Sequence, residues 1–157
     1  MEKELKERIA KAEEGDAAAM LELARYYDKN EKIDEAVRMY ERAANQDDNE
    51  EVRVNAQFEL ALCLYNKRNT EESKKKAVKL FEKAARQGHA ESQCLFGWCH
   101  HIGSFVEKSD EEAVKWYEQA AKQADCPKSR YKILQTELIC SIIITEIQNR
   151  EISLCHT

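Results

Sequence analysis

The stretch EAVKWYEQAAKQ, residues 112–123, is one of three near-copies of the same phrase in this chain of 157 residues. The other two are EAVRMYERAANQ at 35–46 and KAVKLFEKAARQ at 76–87, so the copies begin 41 and 36 residues apart. Each copy repeats its alanines, valine and aromatic residue at the spacing of one helix face. A period of about 40 residues is typical of helical repeat proteins. We therefore predict that the phrases are the second helices of three stacked helix pairs.

Another helical segment precedes each phrase, and a small residue follows a large one at the same place in all three. The segments are AAMLELARYYDKN, NAQFELALCLYNK and ESQCLFGWCHHIG. The small residues are Ala24, Ala61 and Gly97. We expect them where the two helices of a pair cross, because a larger side chain would push the helices apart at a cost of about 1–3 kcal/mol.

Capping residues mark the expected starts of the second helices. Asp34 and Thr70 are the expected caps of the first and second phrase, and Ser109 has the capping-box spacing with Glu112.

The composition favours an all-α protein with long helices and short connections. Hydrophobic residues make up 43% and charged residues 35%, whereas the chain has four glycines and one proline. The net charge of −5 argues against a nonspecific nucleic-acid binder, which needs positive charge to displace counterions. The basic run at 74–76 follows Glu71 and Glu72 and is interpreted as a solvated helix face.

The N-terminal stretch MEKELKERIAKAEEGD is charged throughout and has no apolar core of the kind found in secretory signals. We therefore expect a cytoplasmic protein whose six cysteines stay reduced. The apolar stretch at 133–154 does not fit a membrane span, which needs about 20 apolar residues, because charges interrupt it. These charges are Glu137, Glu146, Arg150 and Glu151.

The spacing within the pairs resembles two related families of helical repeats. Ala24 is the small residue in the first helix of the first pair, and Ala36 is the first alanine of its phrase. The two lie 12 residues apart, a spacing that resembles the tetratricopeptide repeat. In the other two pairs the same positions lie 16 residues apart. Four extra residues between the helices resemble the Sel-1-like repeat, a close relative.

The third pair resembles the Sel-1-like repeat most strongly. It has an Ala-Glu-x-Gln opening at 90–93, the central Gly97, Gly103 in the loop, and an Ala-Val-Lys-Trp-Tyr ending. The resemblance covers about residues 16–124. It implies a right-handed α-solenoid of about three antiparallel helix pairs, with the first helices on the concave side.

We expect a single domain over 1–157 in which helical caps flank the repeats. The expected segments are a cap helix at 3–14, repeats at 16–48, 52–88 and 89–124, and a C-terminal helical cap at 128–155. A long helix at 128–147 would present Ile139, Ile143 and Ile147 as an apolar stripe. Either a further helix at 148–155 covers this stripe or another chain docks on it, and the segment CSIIIT within it also has strand propensity.

The predicted function is that of an adaptor or scaffold that binds a partner peptide or helix in the concave groove. Phe58, Tyr65 and Trp98 would make this groove aromatic, which suits such a partner; alternatively, Phe58 and Trp98 pack against adjacent units. The predicted partner-binding residues are Arg25, Asn55, Phe58, Leu62, Tyr65, Trp98, His101 and Arg130. A carboxylate clamp like that of some tetratricopeptide proteins is not expected, because Leu21 and Arg25 stand where lysine and asparagine would be needed.

Two alternatives stay open. In the first alternative, the chain is a self-assembling module that dimerises through its isoleucine-rich helix. In the second, it is a thiol or metal sensor that uses Cys94, Cys99 and Cys126. Metal binding is the less favoured part of the second alternative, because Cys94 and His101 share a helix face but lie about 10 Å apart along it. The chain shows no nucleophile elbow and no glycine-rich phosphate loop, so we expect neither an enzyme nor a cofactor.

Overall fold

The computed structural model describes residues 2–123, which form seven α-helices and a short π-helical turn. The elements are α1 Glu2–Glu13, α2 Ala17–Lys29, α3 Ile33–Ala44, α4 Glu50–Cys63, the π turn Leu64–Arg68, α5 Glu71–Arg86, α6 Ala90–Ile102 and α7 Asp110–Ala121. No strand occurs among these residues, and the all-α prediction is confirmed. The predicted helix at 128–147, including its isoleucine stripe, lies outside the described residues.

The chain divides into two compact units after His89. In the first unit each helix from α1 to α4 packs against the next one, and α2 also contacts α4. In the second unit α6 packs against α7. The predicted helix pairs are thus α2 with α3, α4 with α5, and α6 with α7.

Small residues allow the two helices of each pair to approach closely. Ala24 and Ala61 are fully buried. A Cβ atom added to Gly97 would lie 3.1 Å from both the Ala113 carbonyl oxygen and Cε1 of Tyr117. The expectation that these positions must stay small is confirmed, since little space is left for a larger side chain.

The aromatic position that the three phrases share is in the core. Tyr40, Phe81 and Tyr117 are each 2–3% exposed. Full burial of such a side chain contributes about 1.5–3 kcal/mol through the hydrophobic effect. The repeated phrases therefore supply much of the core of the two units.

Thr70 and Ser109 cap the second helices as predicted. Thr70 and Ser73 form a reciprocal capping box, in which the Ser73 N–H donates to Thr70 Oγ1 at 3.2 Å and the Thr70 N–H donates to Ser73 Oγ at 3.0 Å. Ser109 Oγ accepts from the Glu112 N–H at 3.2 Å. The Glu112 carboxylate binds Lys115 Nζ at 2.6 Å instead.

The prediction that Asp34 caps α3 is wrong. The N-cap position is Lys32, which makes no side-chain capping bond. Glu31 adopts a positive φ of 58°, and the Lys32 N–H donates to the Tyr27 carbonyl, so α2 ends only a few residues before α3 begins. Asp34 therefore falls within the first turn, where its carboxylate is favoured by the helix dipole.

The connections inside the second and third pairs have different conformations. After α4 the chain continues through the π turn and leaves it at Asn69, which has a φ of 51°. After α6 the helix stops at Gly103, which has a φ of 71°, and an irregular loop leads to α7. The π turn places Tyr65 next to α5, where it belongs to the surface described below.

Candidate functional site

Four of the predicted partner-binding residues share one face of α4 and its π turn. Asn55, Phe58, Leu62 and Tyr65 follow one another at intervals of three or four residues, which places them on one side of a helix. All four are half-buried. We refer to these four residues as the α4 surface.

The two aromatic members of the α4 surface rest on the same buried ring. The ring centroids of Phe58 and Tyr65 each lie 6.3 Å from that of Phe81 on α5. Phe58 also lies 4.6 Å from the His89 ring. Both rings are therefore held by packing within their own helix pair while part of each stays accessible to solvent.

The π turn is anchored to the first repeat by ion pairs. Lys67 Nζ lies 2.7 Å from Asp28 Oδ1 and donates to the Asp28 carbonyl at 3.0 Å. Arg68 pairs with Asp34. π-helical turns occur frequently at functional sites, and this one forms the C-terminal end of the α4 surface.

Arg25 is bound to a carboxylate of the same unit. Its Nε donates to Glu59 Oε1 and Oε2, each at 2.9 Å, and the Tyr40 hydroxyl donates to Glu59 Oε2 at 3.2 Å. The hydrogen bond to Glu59 raises the pKa of Arg25. Burial, together with the charge of Glu59, raises the pKa of Tyr40. The charge of Arg25 is thus already neutralised. Leu21, which stands where a carboxylate clamp would need a polar residue, is buried.

An open depression of about 610 Å³ adjoins the N-terminal end of the α4 surface. Its rim includes the acidic side chains of Asp48, Glu50 and Glu51, all of them exposed. Asn55 and His89 also line it. The α4 surface therefore has an apolar centre and an acidic end.

Two further predicted residues lie on α6, in the second unit. Trp98 is partly buried and packs against the core residues Ala113 and Tyr117. His101 Nδ1 lies 2.7 Å from Asp110 Oδ1. Arg130, the last of the predicted residues, lies outside the described part of the chain.

A polar contact that was not predicted from the sequence recurs in each repeat. The side chain of the glutamine that ends each phrase contacts a residue of the first helix in the same pair. That residue lies four positions before the small crossing residue. The contacts are Gln46 Nε2 to Met20 Sδ at 4.0 Å, Gln87 Nε2 to Gln57 Oε1 at 2.8 Å, and Gln123 Nε2 to Gln93 Oε1 at 2.9 Å. The shared final glutamine of the three phrases was the available signal.

Two of the cysteines are poorly suited to thiol chemistry at neutral pH. Burial raises the pKa of Cys63 to about 11, with a further contribution from Asp28, and raises that of Cys99 to about 12. The thiolate is the nucleophilic form, so both thiols are held in their unreactive form. Cys126, named in the sensor alternative, is not among the described residues.

No three His, Cys, Asp or Glu side chains within residues 2–123 are arranged to hold one metal ion. In the same part of the chain, no helix has the length and apolar character needed to cross a membrane.

Comparison with known proteins identifies the repeat. The Sel1 repeat family matches residues 17–48, 54–89 and 90–125. No curated protein matches the chain.

Two solved structures are similar to it. One is a protective antigen present in uropathogenic Escherichia coli strains and displaying an SLR fold, with 33% identity and a TM-score of 0.65 over 76% of this chain and 25% of that chain. The other is a Sel1 repeat protein from Oxalobacter formigenes, with 27% identity and a TM-score of 0.62 over 84% of this chain and 98% of that chain. The chain therefore spans a quarter of the length of the first protein and nearly all of the second.

Proposed function

Because the chain belongs to the Sel1 repeat family, whose repeats generally mediate protein–protein interactions, we propose that it is an adaptor that binds a partner protein on the α4 surface. The observation that carries the proposal is the half-buried stripe of Asn55, Phe58, Leu62 and Tyr65, two of whose rings rest on Phe81. The bound segment is a short helix or an extended peptide with apolar side chains.

The α4 surface has the size and rigidity that such binding needs. From Asn55 to Tyr65 the stripe spans eleven residues, or about 15 Å of helix, which matches about three turns of a partner helix. Packing on Phe81 fixes Phe58 and Tyr65 in advance, so binding orders few additional side chains. Leu62 lies between the two rings and is the expected centre of the contact.

The charges around the stripe predict the orientation of the partner. The depression at the Asn55 end has an acidic rim, whereas Lys74 Nζ lies 5.6 Å from the centroid of the Tyr65 ring at the other end. A partner segment with a basic residue at one end and an acidic residue at the other complements this arrangement. Arg25 contributes little free charge, because Glu59 neutralises it.

Trp98, His101 and Arg130 stay predicted contact residues outside the first unit. The isoleucine stripe at 139–147 likewise stays a prediction for self-association.

Photo-cross-linking tests the proposal. A cross-linking amino acid is placed at position 62, and as a control at position 38, where the exposed Arg38 lies on α3. Lysate of the native host is illuminated, and the adducts are identified by mass spectrometry. We expect one protein to be captured from position 62 and not from position 38.

The adduct should also disappear when unlabelled wild-type chain competes for the partner, whereas Leu62→Asp should compete poorly. Capture from position 38 alone, or equal competition by Leu62→Asp with circular dichroism unchanged, would place the binding site elsewhere.

A further inference from the structure

We propose that α5 carries a second docking surface, which binds an acidic helix of a partner protein through Lys75, Lys79 and Lys83. These residues stand at i, i+4 and i+8, so they form a row along one side of the helix. All three side chains are exposed. We refer to them as the lysine stripe.

The lysine stripe consists of unpaired cations. None of its three lysines forms an ion pair with any residue in the range 2–123 that the structure describes. Other cations of α5 are used within the protein, since Lys76 pairs with Glu41 and Arg86 with Glu82. The stripe is therefore available to an external anion.

The stripe is a property of α5 and not of the repeat. At the matching positions α3 has Asp34, Arg38 and Arg42, and α7 has Glu111, Lys115 and Gln119. Arg42 donates to the Ala12 carbonyl at 3.0 Å, and Lys115 binds Glu112 at 2.6 Å. Packing of the repeat does not require three cations here, because the first position is acidic in both other pairs, at Asp34 and Glu111, and the third position is neutral in α7, at Gln119.

The geometry favours a short acidic helix as the partner. Lys75 and Lys83 are separated by about 12 Å of helix axis, with one lysine per turn. Carboxylates at i, i+4 and i+8 of a second helix have the same spacing, so three charge pairs form together.

The surroundings of the stripe disfavour an extended polyanion such as nucleic acid. Glu71 and Glu72 precede the stripe, Glu82 is adjacent to Lys83 in sequence, and the three lysines cover only about two turns of α5. The chain as a whole has a net charge of −5, which repels a long polyanion beyond the stripe.

Fluorescence anisotropy with a defined probe tests the proposal. The probe is a labelled helical peptide with Glu at i, i+4 and i+8, and the control peptide has Gln at the same positions. The full chain is compared with Lys75→Gln/Lys79→Gln/Lys83→Gln. A matched triple, Lys29→Gln/Lys32→Gln/Arg38→Gln, removes the same charge from exposed residues outside the stripe.

We expect the stripe triple to weaken binding of the acidic peptide by about tenfold, because three exposed charge pairs are lost. The matched triple should change the affinity less than about twofold, and higher salt should weaken wild-type binding. Equal losses in the two triples would show a response to net charge alone and overturn the proposal. Binding of duplex DNA or of anionic lipid vesicles through the stripe, without binding of the acidic peptide, would also overturn the proposal.

This proposal does not depend on the α4 surface. Leu62→Asp should leave binding of the acidic peptide unchanged, so the two surfaces can fail separately.

Discussion

The second and third helix pairs have the same spacing between their crossing residue and their phrase, yet they connect their helices differently. In the second pair the chain after α4 makes the π turn Leu64–Arg68. In the third pair α6 ends at Ile102, and the following residues form a non-helical loop. The length of the connection is a property of the repeat, whereas its conformation depends on individual residues.

Gly103 and Lys67 account for the difference. Each lies six residues after the crossing residue of its pair. Gly103 takes a φ of 71° and lets the Ser104 N–H bond to the Cys99 carbonyl at 2.9 Å, which closes the helix. A lysine avoids this backbone region, so the chain after α4 stays helical until Asn69, a residue type that tolerates it.

The difference has a functional consequence. The π turn holds Tyr65 against Phe81 and binds Asp28 through Lys67, so it completes a rigid α4 surface. The loop of the third pair instead holds an exposed aromatic residue, Phe105, at a φ of 56°. The predictions that follow test this contrast.

The largest effect is expected from Phe81→Ala. It removes the buried ring beneath Phe58 and Tyr65 and should lower the free energy of unfolding by about 3–5 kcal/mol. Urea denaturation followed by circular dichroism measures the change. The matched control is Phe105→Ala in the loop between α6 and α7. It should lower the free energy of unfolding by no more than about 0.5 kcal/mol, because the Phe105 ring is exposed. Similar losses in the two variants would contradict the contrast.

Gly97→Val should be the next most damaging change. Its side chain would press on the Ala113 carbonyl and the Tyr117 ring, and we expect a loss of about 1–3 kcal/mol from overpacking. Gly97→Ala should be far milder, because better helix propensity offsets its smaller clash. A Gly97→Val variant as stable as the wild type in the same denaturation assay would show that the helices of the third pair are not closely packed.

Lys67 is the residue of the second pair that corresponds to Gly103, so Gly103→Lys introduces the lysine of the second pair into the third. We expect it to cost about 1–2 kcal/mol, since a lysine would be forced to a positive φ. Its Cβ would also lie 3.0 Å from Cβ of Lys108. The reverse change, Lys67→Gly, should release the π turn from Asp28 and speed amide exchange at 64–68. Unchanged exchange there would mean that neither lysine nor its ion pair maintains the turn.

The smallest effect is expected from Gln57→Met. The Gln57 side chain is buried, and its Nε2 makes no hydrogen bond within the described residues. Met20 occupies the same position in the first pair. The change removes an unsatisfied donor, and Gln87 Nε2, which loses the Gln57 acceptor, still donates to the Lys83 carbonyl at 3.0 Å, so stability should stay within about 1 kcal/mol of wild type. A loss above about 2 kcal/mol would indicate a partner for this amide.

Local sequence patterns predicted the helix pairs and most of their details. The crossing positions Ala24, Ala61 and Gly97 could be recognised because packing demands a small residue there in every pair. Thr70 and Ser109 were predictable as caps because capping depends on residues three positions apart. Asp34 was misassigned because the connection after α2 turns at Glu31, a non-glycine residue in a left-handed conformation that no local pattern indicates.

The surface features depend on contacts between distant residues and were less predictable. The pair formed by Arg25 and Glu59 joins positions 34 residues apart, and it exists only because α2 contacts α4. The four members of the α4 surface were predicted from helical spacing, but their support by Phe81 was not. The conformation of each connection could have been predicted from one residue. Gly103 favours a helix end in the third pair, and Lys67 favours continued helix in the second.

The most direct test of the central claim is the affinity of the partner captured from position 62. The purified partner is titrated calorimetrically into the wild-type chain, Leu62→Asp and Arg38→Gln, each checked for helical content. We predict that Leu62→Asp binds at least about tenfold more weakly, whereas Arg38→Gln stays within about twofold of wild type. Equal affinities for wild type and Leu62→Asp would contradict the assignment of partner binding to the α4 surface.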